Sequence, residues 1–362
     1  MVKKRQFGSA PKKLQQNNFN LKRLLTILAI LLILSITLGV AIGPVSIPFY
    51  KVWNIAFYKM GLVNKGDWSS GIVNIVWLIR FPRVLLAMLV GAGLAVVGVT
   101  LQAMVRNPLA DSYILGISSG ASVGAVLAIG LGISVAAGSL GVQAGGFIGA
   151  TVAFLIVFLL SNYRGNISPG RLILSGIGVG YVFTGVTSFI TLTSNNRGLA
   201  GQILAWTLGS LARASWFDLT LPAIVLLGAT IYLVLESRDM NALSIGDETA
   251  TTLGINVQSF RKKLFVIISL LTGIMVAVSG TIGFVGLIVP HIVRILTGSD
   301  HRKVLPISFF TGSIFLIWVD VLARTLFAPK ELPVGVITSI LGGPLFILIL
   351  IRSRRGYKGA FK

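Results

Sequence analysis

The chain has 362 residues, 54% of them hydrophobic and only 11% charged, with 31 Lys and Arg against 10 Asp and Glu and a mean hydropathy of +0.89. Soluble domains hold about 25% charged residues, so a pair of soluble domains is excluded. A nucleic-acid-binding face is excluded too, because the positive charges lie between and outside apolar blocks, as the positive-inside pattern requires. There is no cysteine, so neither disulfides nor thiolate metal sites are possible.

The apolar blocks run close to the twenty residues needed to cross about 30 Å of hydrocarbon. Residues 1–21 read as a basic cytoplasmic tail. The block that follows Lys3, Lys4, Arg5, Lys12, Lys13, Lys22 and Arg23 is too long for a signal-peptide core, and no clear small-x-small cleavage site follows, so it counts as a first span. Predicted spans lie near 22–43, 80–105, 112–133, 137–160, 171–194, 217–236, 262–281, 287–297, 304–327 and 334–352. The fold class is therefore all-α: one polytopic membrane domain over 22–352, with a cytoplasmic loop at 237–261 and a basic tail at 353–362. Ten crossings put both termini on one side. With that side cytoplasmic, 22 of the 31 Lys and Arg face inward, which sets the orientation.

The eighth block is short and is preceded by Gly280, Gly283 and Gly286. Two readings stay open: unwound backbone lining a cavity at membrane depth, or close helix packing through small residues. An internal repeat is also visible. Adding 182 to Gly91, Ala95, Val96, Gly98, Pro108 and Gly116 reaches Gly273, Ala277, Val278, Gly280, Pro290 and Gly298. An odd number of spans separates the copies, so they are expected to be inverted in the membrane, an arrangement typical of transporters.

No catalytic constellation stands out. The histidines are His291 and His301, which excludes a His-Glu-x-x-His zinc site, and no phosphate-cradling G-x-x-x-x-G-K-[ST] loop occurs. No metal site and no enzymatic activity are expected. Asp320 and Arg324 sit one helical turn apart near the external end of the ninth span, where they can pair. An ion-coupled carrier usually needs a buried carboxylate, and Asp320, with an Arg neighbour, is a poor one. The driving force is thus expected from a partner.

The loop from Ser237 to Arg261 contains Gly246, Asp247, Glu248, Ala250, Leu253 and Gly254. Asp247 and Glu248 are expected to cap and start a short helix, with Ala250 and Leu253 forming an apolar stripe that Gly254 ends. Such a helix can dock in a partner's groove. A helix lying on lipid would instead favour Lys and Arg on its polar face. On the outside, Arg80 and Arg83 flank Phe81-Pro82 at the expected mouth of the second span, and Arg324 lies at the mouth of the ninth. They are either snorkelling anchors or exposed guanidinia that receive carboxylates of an external partner.

These motifs resemble the FecCD family, permease subunits of bacterial importers for iron–siderophores, haem and cobalamin. The matching stretches are Arg80-Phe-Pro-Arg83 with Gly91-Ala-Gly-Leu-Ala95, Asn107-Pro108-Leu-Ala-Asp111, Ile114-Leu-Gly-Ile-Ser-Ser-Gly-Ala121 and the Gly246-Asp247…Leu253-Gly254 loop. They continue with Gly283-Phe-Val-Gly286-Leu-Ile-Val-Pro290-His291, Asp300-His-Arg302, Asp320-Val-Leu-Ala-Arg324 and Glu331-Leu-Pro-Val-Gly335. The likeness covers roughly residues 20–352. It implies a subunit of the bacterial cytoplasmic membrane that pairs with a second permease chain, identical or related. Two ATPase subunits would sit on its cytoplasmic face, and a solute-binding protein, a lipoprotein, outside. No cofactor would be bound by this chain, with ATP and magnesium held by the partner ATPase. By this likeness Gly246–Gly254 is the ATPase-coupling element, and Arg80, Arg83 and Arg324 receive the binding protein. Asn107, Pro108, Gly283, Gly286, Pro290, His291 and Asp320 belong to pathway or structural motifs. The path would be lined by the second span, the fifth span and Gln202–Arg213. The expected cargo is a ferric siderophore, with haem or cobalamin as alternatives. Rival readings are an ion-coupled secondary transporter and a membrane scaffold without a transport path.

Overall fold

The computed structural model describes residues 20–163, 165–193 and 197–359, so the expected N-terminal tail lies almost wholly outside the described residues. Helix α1 (Leu21–Ala41) is the first span. Helices α2 (Phe49–Lys59) and α3 (Ser70–Asn74) follow on the way to α4 (Phe81–Val105). Next come α5 (Ile117–Gly130), α6 (Ile133–Ser161), α7 (Pro169–Thr193), α8 (Arg197–Thr207) and α9 (Phe217–Leu235). Two short helices, α10 (Ser237–Ile245) and α11 (Asp247–Thr252), lead to α12 (Val257–Ser279), α13 (Val285–Thr297), α14 (His301–Thr325) and α15 (Val334–Gly359). Among the described residues, seven helices or continuous helical runs are long and apolar enough to cross a bilayer. The shorter apolar helices Ile117–Gly130, Val285–Thr297 and Val334–Leu348 bring the number to the ten expected. The only sheet among the described residues is a two-residue hairpin between α6 and α7, pairing Asn162 with Ile167.

The second span departs from expectation at its N-terminal end. Hydropathy places its start at Arg80, whereas α3, a π-helical turn (Ile75–Arg80) and α4 run as one apolar stretch from Ser70 to Val105. The two arginines therefore lie inside a helix and not at its mouth. In the π turn the Phe81 N–H bonds the Val76 carbonyl, five residues back. Pro82 has no N–H to offer the Trp77 carbonyl, and the indole N–H of Trp216 donates to that oxygen instead, at 2.8 Å.

Helix α4 is the axis of the bundle. Of its most apolar window 89% is buried, enclosed by α14, α12, α13 and α9. Small residues allow this: a Cβ on Gly91 would overlap the Gly312 carbonyl of α14, and one on Gly98 would overlap the Gly286 backbone of α13. Helix α7 is the opposite case, with 11% of its window buried. The backbone between α12 and α13 is unwound, and close packing accompanies it, so both sequence readings of this glycine-rich segment hold. Its polar groups are satisfied inside the protein, as membrane depth demands. Ser279 O accepts from Ser210 N–H at 2.8 Å, and the Phe284 N–H donates to Asp111 Oδ2 at 3.0 Å. The repeat's two copies differ locally, since Gly98 lies within α4 whereas Gly280 ends α12.

Candidate functional site

Three places gather the polar residues of this apolar molecule. The first is the helix pair α10–α11. Sequence predicts one helix capped by acids; the structure has two helices joined at an extended Gly246 (φ 163°, ψ 157°). Asp247 and Glu248 occupy the first turn of α11 without capping it by a side chain. Asp247 turns inward: the Arg261 guanidinium of α12 donates to its Oδ1 at 2.8 Å, and Arg106, after α4, lies 3.5 Å away. Arg261 is buried and also donates to Ile167 O at 3.1 Å. Ala250, expected in a docking stripe, is buried against the bundle, so it does not share a face with Leu253. The exposed apolar pair is Ile245, 73% exposed, and Leu253, 67% exposed. Sequence reading passed over Ile245. Its signal is an isoleucine next to a helix-breaking glycine between two buried turns. Gly254 ends α11 with φ +84°, a conformation that strains any side chain with a Cβ. At the other edge, Asn241 of α10 donates to Asp300 Oδ1 at 2.8 Å and accepts the His301 N–H at 2.9 Å, which fastens the pair to α14.

The second place is a charge knot at the opposite end of α4 from the Arg106–Asp247 contact. The sequence reading has Arg80, Arg83 and Arg324 exposed; they are 5%, 5% and 3% exposed. Arg83 Nε donates to both oxygens of Asp320, at 2.9 and 3.1 Å, and its Nη1 donates to Glu331 at 2.8 Å. Arg324 Nε lies 3.4 Å from Asp320, the expected pair one turn apart, and its Nη2 bonds the Gly39 carbonyl. Arg80 donates to Val40 O at 2.8 Å, Ala41 O at 3.0 Å and Val45 O at 2.5 Å. The reason for burial lies in α1, whose C-terminal carbonyls have no intrahelical partner. Guanidinia satisfy them and complement the negative end of the helix dipole. Asp320 is wholly buried and shared between two arginines, so it is no free ion-binding carboxylate.

The third place is the open face of α7. A cavity of about 410 Å3 lies between α5, α7 and α8, and another of about 530 Å3 lies between the 109–114 turn, the 207–208 and 281–287 segments and α15. Both include Tyr113, Thr207 and Thr281, so they form one groove. No residue of α4, the second span, lines either cavity, whereas the fifth span and the start of the 202–213 segment do. Thr184, Thr187, Ser188 and Thr191 form a stripe at i, i+3, i+4 and i+7 on α7, a spacing that was legible in the sequence and was missed. Gly283 lines the groove, and Gly286 packs against Asp111 and α4 behind it. Asn107 and Pro108 build the turn after α4, where the Leu109 N–H donates to Asn107 Oδ1 at 2.9 Å. Pro290 lies within α13, and half-buried His291 beside it lines neither cavity. Beneath, Arg294 donates to Gln102 Oε1, while the Gln102 amide donates to Ala110 O at 3.2 Å and Gly286 O at 3.1 Å.

The model of the FecCD transport family matches residues 30–352. An ABC transporter permease of Bacillus subtilis, YvrB, is 42% identical over 335 residues, 90% of this chain and 92% of that protein. The hemin transport system permease HmuU of Yersinia pestis is 39% identical over 342 residues, covering 93% of this chain and 98% of that one. A solved metal-chelate type ABC transporter in an inward-facing conformation superposes with a TM-score of 0.79 at 29% identity, over 91% of this chain and 99% of that chain.

Proposed function

The chain belongs to the FecCD transport family, and we propose that it carries ferric siderophore, handed over by an external binding protein, into the cytoplasm. As an ABC importer permease it is a membrane transport component and not an enzyme. The family architecture implies a second permease and an ATPase. In our reading two ATPase subunits hold ATP and magnesium, this chain binds no cofactor, and both termini face the cytoplasm. The observation that carries the mechanism is the α10–α11 pair: two apolar side chains exposed to the partner, on a body tied by Asp247 to Arg261 and Arg106. Closure of the ATPases on nucleotide would push this pair, and the ion pairs would pass the displacement to α12 and α4.

The binding protein would dock at the external end around Arg80, Arg83 and Arg324. Since those guanidinia are engaged within the chain, a partner carboxylate would reach Arg83 by displacing Glu331, whose side chain is 39% exposed. The alternative cargoes are haem, for which HmuU is named, and cobalamin. An ion-coupled carrier is disfavoured because, among the described residues, Asp320 is held by two arginines and Asp111 is engaged by Ser112 and Phe284. The test is uptake by proteoliposomes holding the complete importer. Asp247→Ala and Gly254→Val are expected to keep ATP hydrolysis while uptake falls. Normal uptake by both variants would remove the coupling assignment. Uptake that persists without nucleotide and collapses with the proton gradient would favour the carrier.

A further inference from the structure

The chemistry of the groove wall bears on what passes it. Eight Ser and Thr residues line the upper cavity. Five of their hydroxyls already donate to backbone carbonyls. Ser122 donates to Ser118 at 3.1 Å, Thr184 to Gly180 at 2.8 Å, Thr191 to Thr187 at 2.7 Å and Thr207 to Ile203 at 3.0 Å. Thr281 donates to the Thr207 carbonyl. A hydroxyl has one proton and two lone pairs, so these five present only acceptor capacity to the groove, while Ser119 and Ser188 on the same wall keep a proton to donate. Thr187 Oγ1 is buried in the same wall without any partner. Among the described residues no Lys, Arg or His lines either cavity, and the one acid there, Asp111, is turned away to bond Ser112 and Phe284. Arg213 lines a separate cavity on the other face of α8.

Resting on the importer reading above, we infer that this groove selects a cargo with no net negative charge that presents N–H or O–H donors, such as a neutral chelate with amide or hydroxyl groups. A carboxylate-bearing macrocycle or a tricatecholate complex would lose water here and gain no cation in exchange, and desolvated anions without a partner are heavily penalised. Donors of a neutral chelate replace their lost water with the free lone pairs of the wall at little net cost. The hydroxyls bonded back to their own helices are spared that cost while the groove stands empty. The wall thus binds nothing tightly, which suits a path and not a store.

The natural absence of cysteine lets the wall be read directly. In the assembled importer, Thr184→Cys and Ser188→Cys, at exposed positions of the wall, are labelled with anionic, neutral and cationic methanethiosulfonates, each rate divided by its rate with a free thiol. The neutral and cationic reagents are expected to outpace the anionic one by about tenfold or more, a factor of ten being a modest electrostatic difference. An anionic rate equal to or above the others overturns the inference. The second arm supplies the reconstituted importer and its binding protein with equal concentrations of a neutral ferric trihydroxamate and of haem. Preferential uptake of the chelate supports the inference, and haem uptake equal to or above it overturns it. Loss of nucleotide dependence would strike the importer reading while leaving the labelling ratio intact, so the two failures are told apart.

Discussion

Helices α4 and α7 are of equal length and both rich in glycine, yet the first is enclosed on all sides and the second is nearly bare. In α4 glycine brings backbones together; in α7, Gly178 and Gly185 have nothing near enough for a Cβ to meet. Composition alone does not distinguish these uses. The difference separates a packed half, which holds the charge knot and the α10–α11 pair, from an open half that carries the groove.

The strongest challenge to this division is Arg83→Ala. It strands Asp320 in the packed half with Arg324 alone, and removing one member of a buried pair costs about 3–5 kcal/mol. Thermal unfolding of the purified chain should show that loss, and Asp320→Asn in the same variant should recover part of it. Next comes one substitution placed in both halves. Gly98→Ala forces a methyl into the Gly286 backbone and should cost about 1–3 kcal/mol or more. Binding of the ATPase is the third measure. Ile245→Ala and Leu253→Ala should each weaken assembly about tenfold while leaving the melting temperature of the isolated chain in place, since burying such a side chain is worth about 1.5–3 kcal/mol. The smallest effect is Gly185→Ala, expected to be neutral or to stabilise by up to about 1 kcal/mol. A Gly185→Ala variant as damaged as Gly98→Ala would erase the distinction between the halves.

The spans were legible because twenty apolar residues in a row have one stable place to go. The charge knot was not, because hydropathy penalises arginine by its type and ignores what it bonds. Arg80 closes the end of α1, an element forty residues away in sequence, so its burial has no local signal. The same holds for Asp247: its acidity near a helix start suggested a cap, and only the fold brings Arg261 and Arg106 to it. The hydroxyl stripe of α7 was legible by spacing alone and was overlooked because Thr and Ser scarcely alter hydropathy. The break before α13 was one of two readings that the glycine density left open, since close helix packing calls for the same residues.

The proline that leaves the Trp77 carbonyl free has a mechanical consequence. Through Trp216 it fastens the N-terminal end of α9, which Gln143 also holds through Asp218, and the C-terminal end of α9 continues directly into α10. A helix of 19 residues is about 28 Å long, so α9 links the Trp77 contact to the α10–α11 pair across nearly the thickness of the hydrocarbon layer.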